Sequence, residues 1–148
     1  MLPTAWEDDL TADFELAEQP TRTYRLHFGG KPSVGKLDGL EAMKQAIYLI
    51  LNCERYRYEM FSWNYGSEID ALIGQQNDAT LQLRLKSVIS EALLADDRIL
   101  SVTNFSFQRN ESSLLVTFTA QTTQGEVESA LRWWGSDWEV TLWDTAMR

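Results

Sequence analysis

Cysteine, histidine and proline are scarce in this chain: its 148 residues hold one Cys (Cys53), one His (His27) and three Pro. A lone cysteine excludes an internal disulfide and a multi-cysteine zinc site, and a lone histidine excludes a histidine-rich one. Long apolar runs are missing too. The longest uninterrupted one is Ala46 to Leu51, against the roughly 20 residues of a membrane helix. The N-terminus has neither the basic n-region nor the apolar h-region of a signal peptide. Neither membrane insertion nor Sec export is therefore expected. Basic residues are outnumbered, 13 Lys and Arg against 22 Asp and Glu for a net charge of -9, which disfavours any partner held by phosphate neutralisation, DNA above all. What remains is ordinary: 44% hydrophobic and 24% charged residues give the composition of one globular domain at this length.

The charge is uneven along the chain. Residues 1–21 carry Glu7, Asp8, Asp9, Asp13, Glu15 and Glu18 with no Lys or Arg, whereas 22–57 carry Arg22, Arg25, Lys31, Lys36, Lys44, Arg55 and Arg57. Apolar residues in 1–21 follow neither helical nor strand spacing, so this stretch reads as an extended acidic arm preceding a domain over 22–148. The arm is either a solvated terminus or a segment that docks on a basic groove of a partner.

Within the domain, the alternation of Thr23 to Phe28 predicts a half-buried strand. Asp38 and Glu41 form a capping-box pattern ahead of Leu40, Met43, Ile47, Ile50 and Leu51, which predicts a helix over about 39–52. Arg55 to Ser62 alternates again and is rich in aromatics, predicting a second strand. Ser67 and Asp70 then open a short helix through Ile73, closed by Gly74. Asp78 or Thr80 caps a helix with the apolar stripe Leu81, Leu85, Val88, Ile89, Ala92 and Leu93, ending at Asp96-Asp97. Thereafter the period becomes two. Leu100, Val102, Asn104 and Ser106 alternate with Ser101, Thr103, Phe105 and Phe107; Leu114 to Thr122, Glu126 to Trp133 and Trp138 to Trp143 follow as further strands. The pattern predicts an α+β domain: a mixed or antiparallel sheet, two main helices with a short third, and a C-terminal β-meander.

No catalytic, cofactor or metal set emerges from the spacing. Gly30-Lys31-Pro32-Ser33-Val34-Gly35-Lys36 resembles a phosphate loop but places Leu37 where a magnesium-binding hydroxyl is needed, and Asp38 where the phosphates would sit. Glu54, Glu59, Glu68 and Asp70 bracket Tyr56, Tyr58, Phe61, Trp63 and Tyr65, a neighbourhood that would suit a glycosidase, yet no acid and nucleophile are singled out. His27 reads as a surface residue and Cys53 as a small buried hydrophobe. Tryptophan is the unusual abundance. Trp133, Trp134, Trp138 and Trp143 crowd the C-terminus, and Trp is enriched at interface cores.

Four strings in order, Lys36 to Ile47, Leu51 to Tyr56, Ser62 to Glu68 and Glu91 to Ile99, make the stretch from about Tyr24 to Glu128 resemble the XkdS-type baseplate wedge proteins. These belong to the lysozyme-like wedge, or sheath-initiator, family of contractile phage tails. The resemblance implies a structural subunit of a virion tail baseplate or phage-tail-like particle, assembled in the bacterial host cytoplasm, and not an enzyme. It implies other wedge subunits and the tail sheath protein as partners, with tail tube or hub proteins as further candidates. By the same resemblance Asp96-Asp97-Arg98 stands for the family's Glu-Pro-Arg loop, with Asp97 in place of the proline, and Cys53-Glu54-Arg55 for its Gly-Glu-Arg segment. The Trp-rich extension from about 131 exceeds the family pattern. The interface residues expected from these two readings are Glu54, Arg55, Asp96, Asp97, Arg98, Trp133, Trp134, Trp138 and Trp143. One edge strand of the meander, within 126–134 or 138–143, is expected to pair with a sheath strand. The competing class is a cell-wall glycosidase using paired carboxylates.

Overall fold

The computed structural model describes residues 19–27, 32 and 34–142; the acidic arm as far as residue 18, Phe28 and Trp143 lie outside them. Helix α1 (Gly39–Asn52) forms where the apolar spacing places it. The Asp38 carboxylate caps it, accepting from the Gly39 amide at 2.8 Å and from the Thr21 hydroxyl. Those hydrogen bonds, Thr21's first, hold the Asp38 carboxyl below the usual carboxylate range. Glu41 is turned to Lys44, 3.1 Å away, instead of closing a capping box.

Two expected strands are not strands. Of the described part of the first, Thr23 to His27, only β1 (Thr23–Tyr24) pairs, antiparallel to β2 (Lys36–Leu37). Beyond Tyr24 the backbone is held by a helix side chain: Gln45 donates from Nε2 to the Tyr24 carbonyl at 2.8 Å and accepts the Leu26 amide on Oε1 at 2.9 Å. With no broad sheet beside it, the alternation leaves Tyr24 70% and Leu26 37% exposed. Arg55 to Ser62 is likewise a run of turns. Tyr56 sits at φ 68, a left-handed conformation that ends an extended path for a bulky residue, and Tyr58 and Ser62 carbonyls accept from the Phe61 and Tyr65 amides. The short third helix is a 3₁₀ turn, Ile69–Leu72, without a side-chain cap. Ser67 instead donates its hydroxyl to the Leu51 carbonyl at 2.8 Å.

Helix α2 (Ala79–Leu94) starts at Asp78, whose carboxylate accepts from the Leu81 amide at 2.8 Å, and ends before the expected Asp96-Asp97. It leads into the antiparallel sheet β3-β4-β5-β6, formed by Ile99–Arg109, Leu114–Thr122, Gly125–Trp133 and Trp138–Leu142. On its inner face Leu114 lies opposite Trp133, Val116 opposite Leu131, and Ala120 opposite Val127, all buried. Helix α2 packs against β3 and α1 against β5 and β6, completing one core. The opposite face carries Thr117, Thr119, Gln121, Glu126, Glu128 and Arg132 in register, the polar half of the alternation, with Thr119 and Ala130 buried within it.

Strand β3 departs from simple alternation. Register shifts at Ile99/Ser101 and Thr103/Ser106, with Asn104 at φ 57, insert bulges. After the second bulge it is Phe105 and Phe107, not Asn104 and Ser106, that join Val102 on the core side, because one extra residue inverts the pattern. The architecture is the expected α+β single domain. One consequence narrows the edge expectation: β5 lies between β4 and β6, and Ser129 to Trp133 have a strand on both sides, whereas 126–128 pair with β4 and have no partner on the β6 side among the described residues.

Candidate functional site

The Glu54-Arg55 and Asp96-Asp97-Arg98 segments meet around Tyr65. The turn after α2 is built by Asp96, which accepts three hydrogen bonds from Arg98: from the backbone amide at 2.9 Å, Nε at 3.0 Å and Nη2 at 2.7 Å. This is a forked, internally satisfied pair. Partial burial pushes the Asp96 carboxyl up, but the hydrogen bonds and charge of Arg98 outweigh it and hold it below the usual range. Arg98 Nη1 reaches the Pro20 carbonyl at 3.4 Å, which brings the root of the acidic arm to this turn. Asp97 is exposed. Burial, together with neighbouring groups that include Asp96, pushes the Tyr65 phenol up.

Arg55 is buried, its Nη1 3.2 Å from Glu91 and its Nε without a partner. Glu54 pairs with the exposed Arg57 at 2.9 Å, and its backbone bridges Ser67. Gly66, at φ +99, permits this closure: a Cβ there would stand 2.6 Å from the Cys53 carbonyl. Cys53 is half-buried rather than buried, and its burial pushes the thiol up. Above this base the loop throws its apolar side chains outward, with Tyr56 at 66%, Met60 at 81% and Trp63 at 76% exposure. Phe61 stacks on Tyr65 at 4.6 Å between ring centroids, and Tyr58 meets Phe61 edge-on. The alternation of Arg55 to Ser62 predicts a strand and not a protruding loop; the positive φ of Tyr56 that breaks it has no local signal in the sequence.

Trp133, Trp134 and Trp138 occupy the other end of the sheet. Arg98 precedes the start of β3, whereas Trp133 pairs with Leu114, itself opposite Arg109 at the end of β3; eleven residues of strand separate the two ends, about 30 Å. Trp133 belongs to the core, Trp138 is half-buried against it and Trp134 is 39% exposed. Trp138 Nε1 donates to Asp70 at 2.8 Å, a bond that no spacing in the sequence announces. Of the four carboxylates that bracket the aromatic segment, Glu54 is paired with Arg57 and Asp70 accepts from Trp138. Among the described residues no group of three or more His, Cys, Asp or Glu is placed to hold a metal.

Among the described residues, strand β6 is an edge of the sheet. Trp134 donates its amide to the Asp137 carbonyl at 2.9 Å, which makes that a hydrogen-bonded pair, and such pairs alternate along an antiparallel ladder. Glu139 and Thr141, opposite Arg132 and Ala130, therefore bond to β5, and the amides of Trp138, Val140 and Leu142 face away. The Trp138 amide is taken by Asp137 Oδ1 at 2.8 Å. Val140 and Leu142 are left to present main-chain donors along the edge.

Comparison with known proteins gives two matches. The profile of the contractile injection system sheath initiator family matches residues 18–125. The phage-like element PBSX protein XkdS of Bacillus subtilis (strain 168) is 31% identical over 131 residues, spanning 86% of this chain and 92% of that protein. The profile ends at the first residue of β5, so β6 and the four C-terminal tryptophans, Trp133, Trp134, Trp138 and Trp143, lie beyond it.

Proposed function

Because the chain belongs to the contractile injection system sheath initiator family, we propose that it is a structural baseplate wedge subunit of a contractile phage tail or phage-tail-like particle. It joins baseplate to sheath, and templates sheath assembly by accepting a sheath strand along β6. The observation that carries this reading is the β6 edge, regular in register over Trp138–Leu142, with Val140 and Leu142 amides directed outward. The other edge, β3, carries two bulges, devices that discourage pairing with another chain. Main-chain pairing lets the subunit present a sheath-like contact without sequence identity.

The opposite end serves the other wedge subunits. A patch containing Tyr56, Met60 and Trp63 is costly to expose on a free protein and fits burial against a neighbour. Tyr65, stacked on Phe61 of the same loop, joins it to the turn of Asp96-Asp97-Arg98, where Asp97 is exposed and Asp96 holds the Arg98 guanidinium plane fixed. Glu54 and Arg55 act from beneath, by bracing the loop. The work is recognition, not turnover, and it places the protein in the virion tail baseplate, assembled in the host cytoplasm.

Sheath polymerisation seeded by baseplates reconstituted with and without the chain tests this. Polymerisation only from baseplates containing it supports the reading, and equal polymerisation from both refutes it. Trp63→Glu together with Met60→Glu should abolish incorporation into the wedge while leaving the free chain folded. Measurable peptidoglycan lysis abolished by a single carboxylate change would instead favour the glycosidase.

A further inference from the structure

Among the described residues, positive φ is taken by Gly35, Gly39, Gly66, Gly74, Gly125 and Gly135, and otherwise only by Asn104 at φ 57 and Tyr56 at φ 68. Glycine has no Cβ to clash there, and asparagine enters the left-handed region more readily than most residues. Tyr56 is the exception, a bulky side chain where glycine would relieve the backbone.

Its surroundings impose the turn. Just before it, the Arg55 amide donates to the Ser67 carbonyl at 3.1 Å and the Ser67 amide to the Cys53 carbonyl at 2.8 Å, while the Arg55 side chain is buried against Glu91. Just after it, Arg57 is held 2.9 Å from Glu54. The chain therefore turns at residue 56 whatever side chain stands there, and such a conformation persists in a non-glycine residue only where its neighbours over-determine it.

Nothing in the free chain uses the tyrosine. Its side chain is 66% exposed and is not among those packed on the core. Among the described residues its ring and hydroxyl have no hydrogen-bond, ion-pair or ring partner. The other rings of the loop differ, since Tyr58 meets Phe61 and Phe61 stacks on Tyr65. Met60 and Trp63 are more exposed still, but their backbones carry no left-handed strain, and exposure alone says little of a single apolar residue. Strain at a residue whose side chain does nothing for the monomer points to a use outside it. Tyrosine suits that use, with a large, stiff contact area and a frequent place among the few interface residues that dominate binding.

We infer that Tyr56 is the anchor of the loop's contact with a neighbouring wedge subunit, its ring entering an apolar pocket of that subunit with the hydroxyl at the pocket's wet rim. This rests on the reading that the loop faces another wedge subunit. It goes beyond that reading by assigning most of the contact's strength to one side chain, which the free chain would be more stable without.

Two variants separate ring from backbone. Tyr56→Gly removes the ring and the left-handed strain, whereas Tyr56→Ala removes the ring and keeps the strain. In thermal unfolding of the free chain, Tyr56→Gly should raise Tm by about 2–4 °C, the strain relieved exceeding the freedom glycine adds to the unfolded chain. Tyr56→Ala should leave Tm within about 1 °C of wild type. In competition with labelled wild-type chain for incorporation into wedges, both variants should be weaker by about tenfold or more. A glycine variant no more stable than wild type, or either variant weakened by less than about tenfold, overturns the inference. The double variant Trp63→Glu, Met60→Glu keeps the two readings apart. Should it still enter the wedge, the loop is not the wedge surface and both readings fall. Should it be excluded while Tyr56→Gly and Tyr56→Ala compete like wild type, only the role of Tyr56 falls.

Discussion

Replacing Asp96 by Asn removes the charge around which the turn after α2 is built. The carboxylate accepts from the Arg98 amide, Nε and Nη2 at 2.9, 3.0 and 2.7 Å. An asparagine keeps one oxygen, sufficient for the amide and a weaker bond from Nε, but turns an NH₂ group toward Nη2. Hydrogen bonds to charged groups are worth about 1.5–3 kcal/mol each. One is lost outright and another weakened at side chains that remain 17% (Arg98) and 12% (Asp96) exposed, so residual solvent tempers the loss to about 2–3 kcal/mol. The effect depends on pH with a definite sign. Burial raises the Asp96 carboxyl, the Arg98 bonds and charge lower it further, and its folded pKa lies below the unfolded value. Its contribution is therefore fully present above the unfolded pKa of about 3.9 and is lost as pH falls through the folded value. Urea denaturation of both proteins at pH 7 and at two points below pH 4 measures this, read as a change in midpoint at constant slope. A difference under about 0.5 kcal/mol at pH 7, or one that does not shrink in acid, would refute the internal pairing of Arg98 as the source of the turn's stability.

Gly66→Ala should destabilise by about 3 kcal/mol or more, combining the left-handed backbone with a 2.6 Å contact to the Cys53 carbonyl, whereas Gly74→Ala, at φ +88 with open space, should lose only about 1–2 kcal/mol. Thermal unfolding of the pair checks the order, and equal losses would contradict the close approach at Gly66. Trp138→Phe strands the Asp70 acceptor and should lose about 1–2 kcal/mol; Asp70→Asn, which keeps an acceptor, should lose less in the same denaturation series. Asp78→Ala removes the α2 cap and should lose about 1 kcal/mol by the same assay.

The helices and the meander were legible because their signals are local. Asp38 and Asp78 cap where their positions suggest, and β4 runs from Leu114 to Thr122 as the alternation predicts. The failures share a different cause. Period two marks a strand only if a sheet is there to pair with it, and for Tyr24 and Leu26 the partner is the Gln45 side chain. Tyr56 at positive φ turns Arg55 to Ser62 into a protruding loop, and no neighbouring glycine or proline signals it. In β3 the bulge at Asn104 exchanges which residues face the core, and nothing in Val102 to Phe107 reveals where the extra residue falls. At the candidate site, the nearness of Arg98 to Asp96 is written in the sequence. The meeting of Arg55 with Glu91 and of Trp138 with Asp70 depends on tertiary packing and is not. The family strings identify the class of protein, yet they stop short of β6, where the proposed sheath contact lies.

Amide hydrogen exchange at the β6 edge tests that contact most directly. The exchange rates of Val140 and Leu142 are compared in the free chain and in the chain recovered by quenching from sheath-bearing baseplates, with Glu139 and Thr141, already bonded to β5, as internal references. Strand addition predicts that Val140 and Leu142 become strongly protected only when sheath is present. Val140 and Leu142 amides that exchange at the same rate with and without sheath, on baseplates that carry sheath, would contradict it.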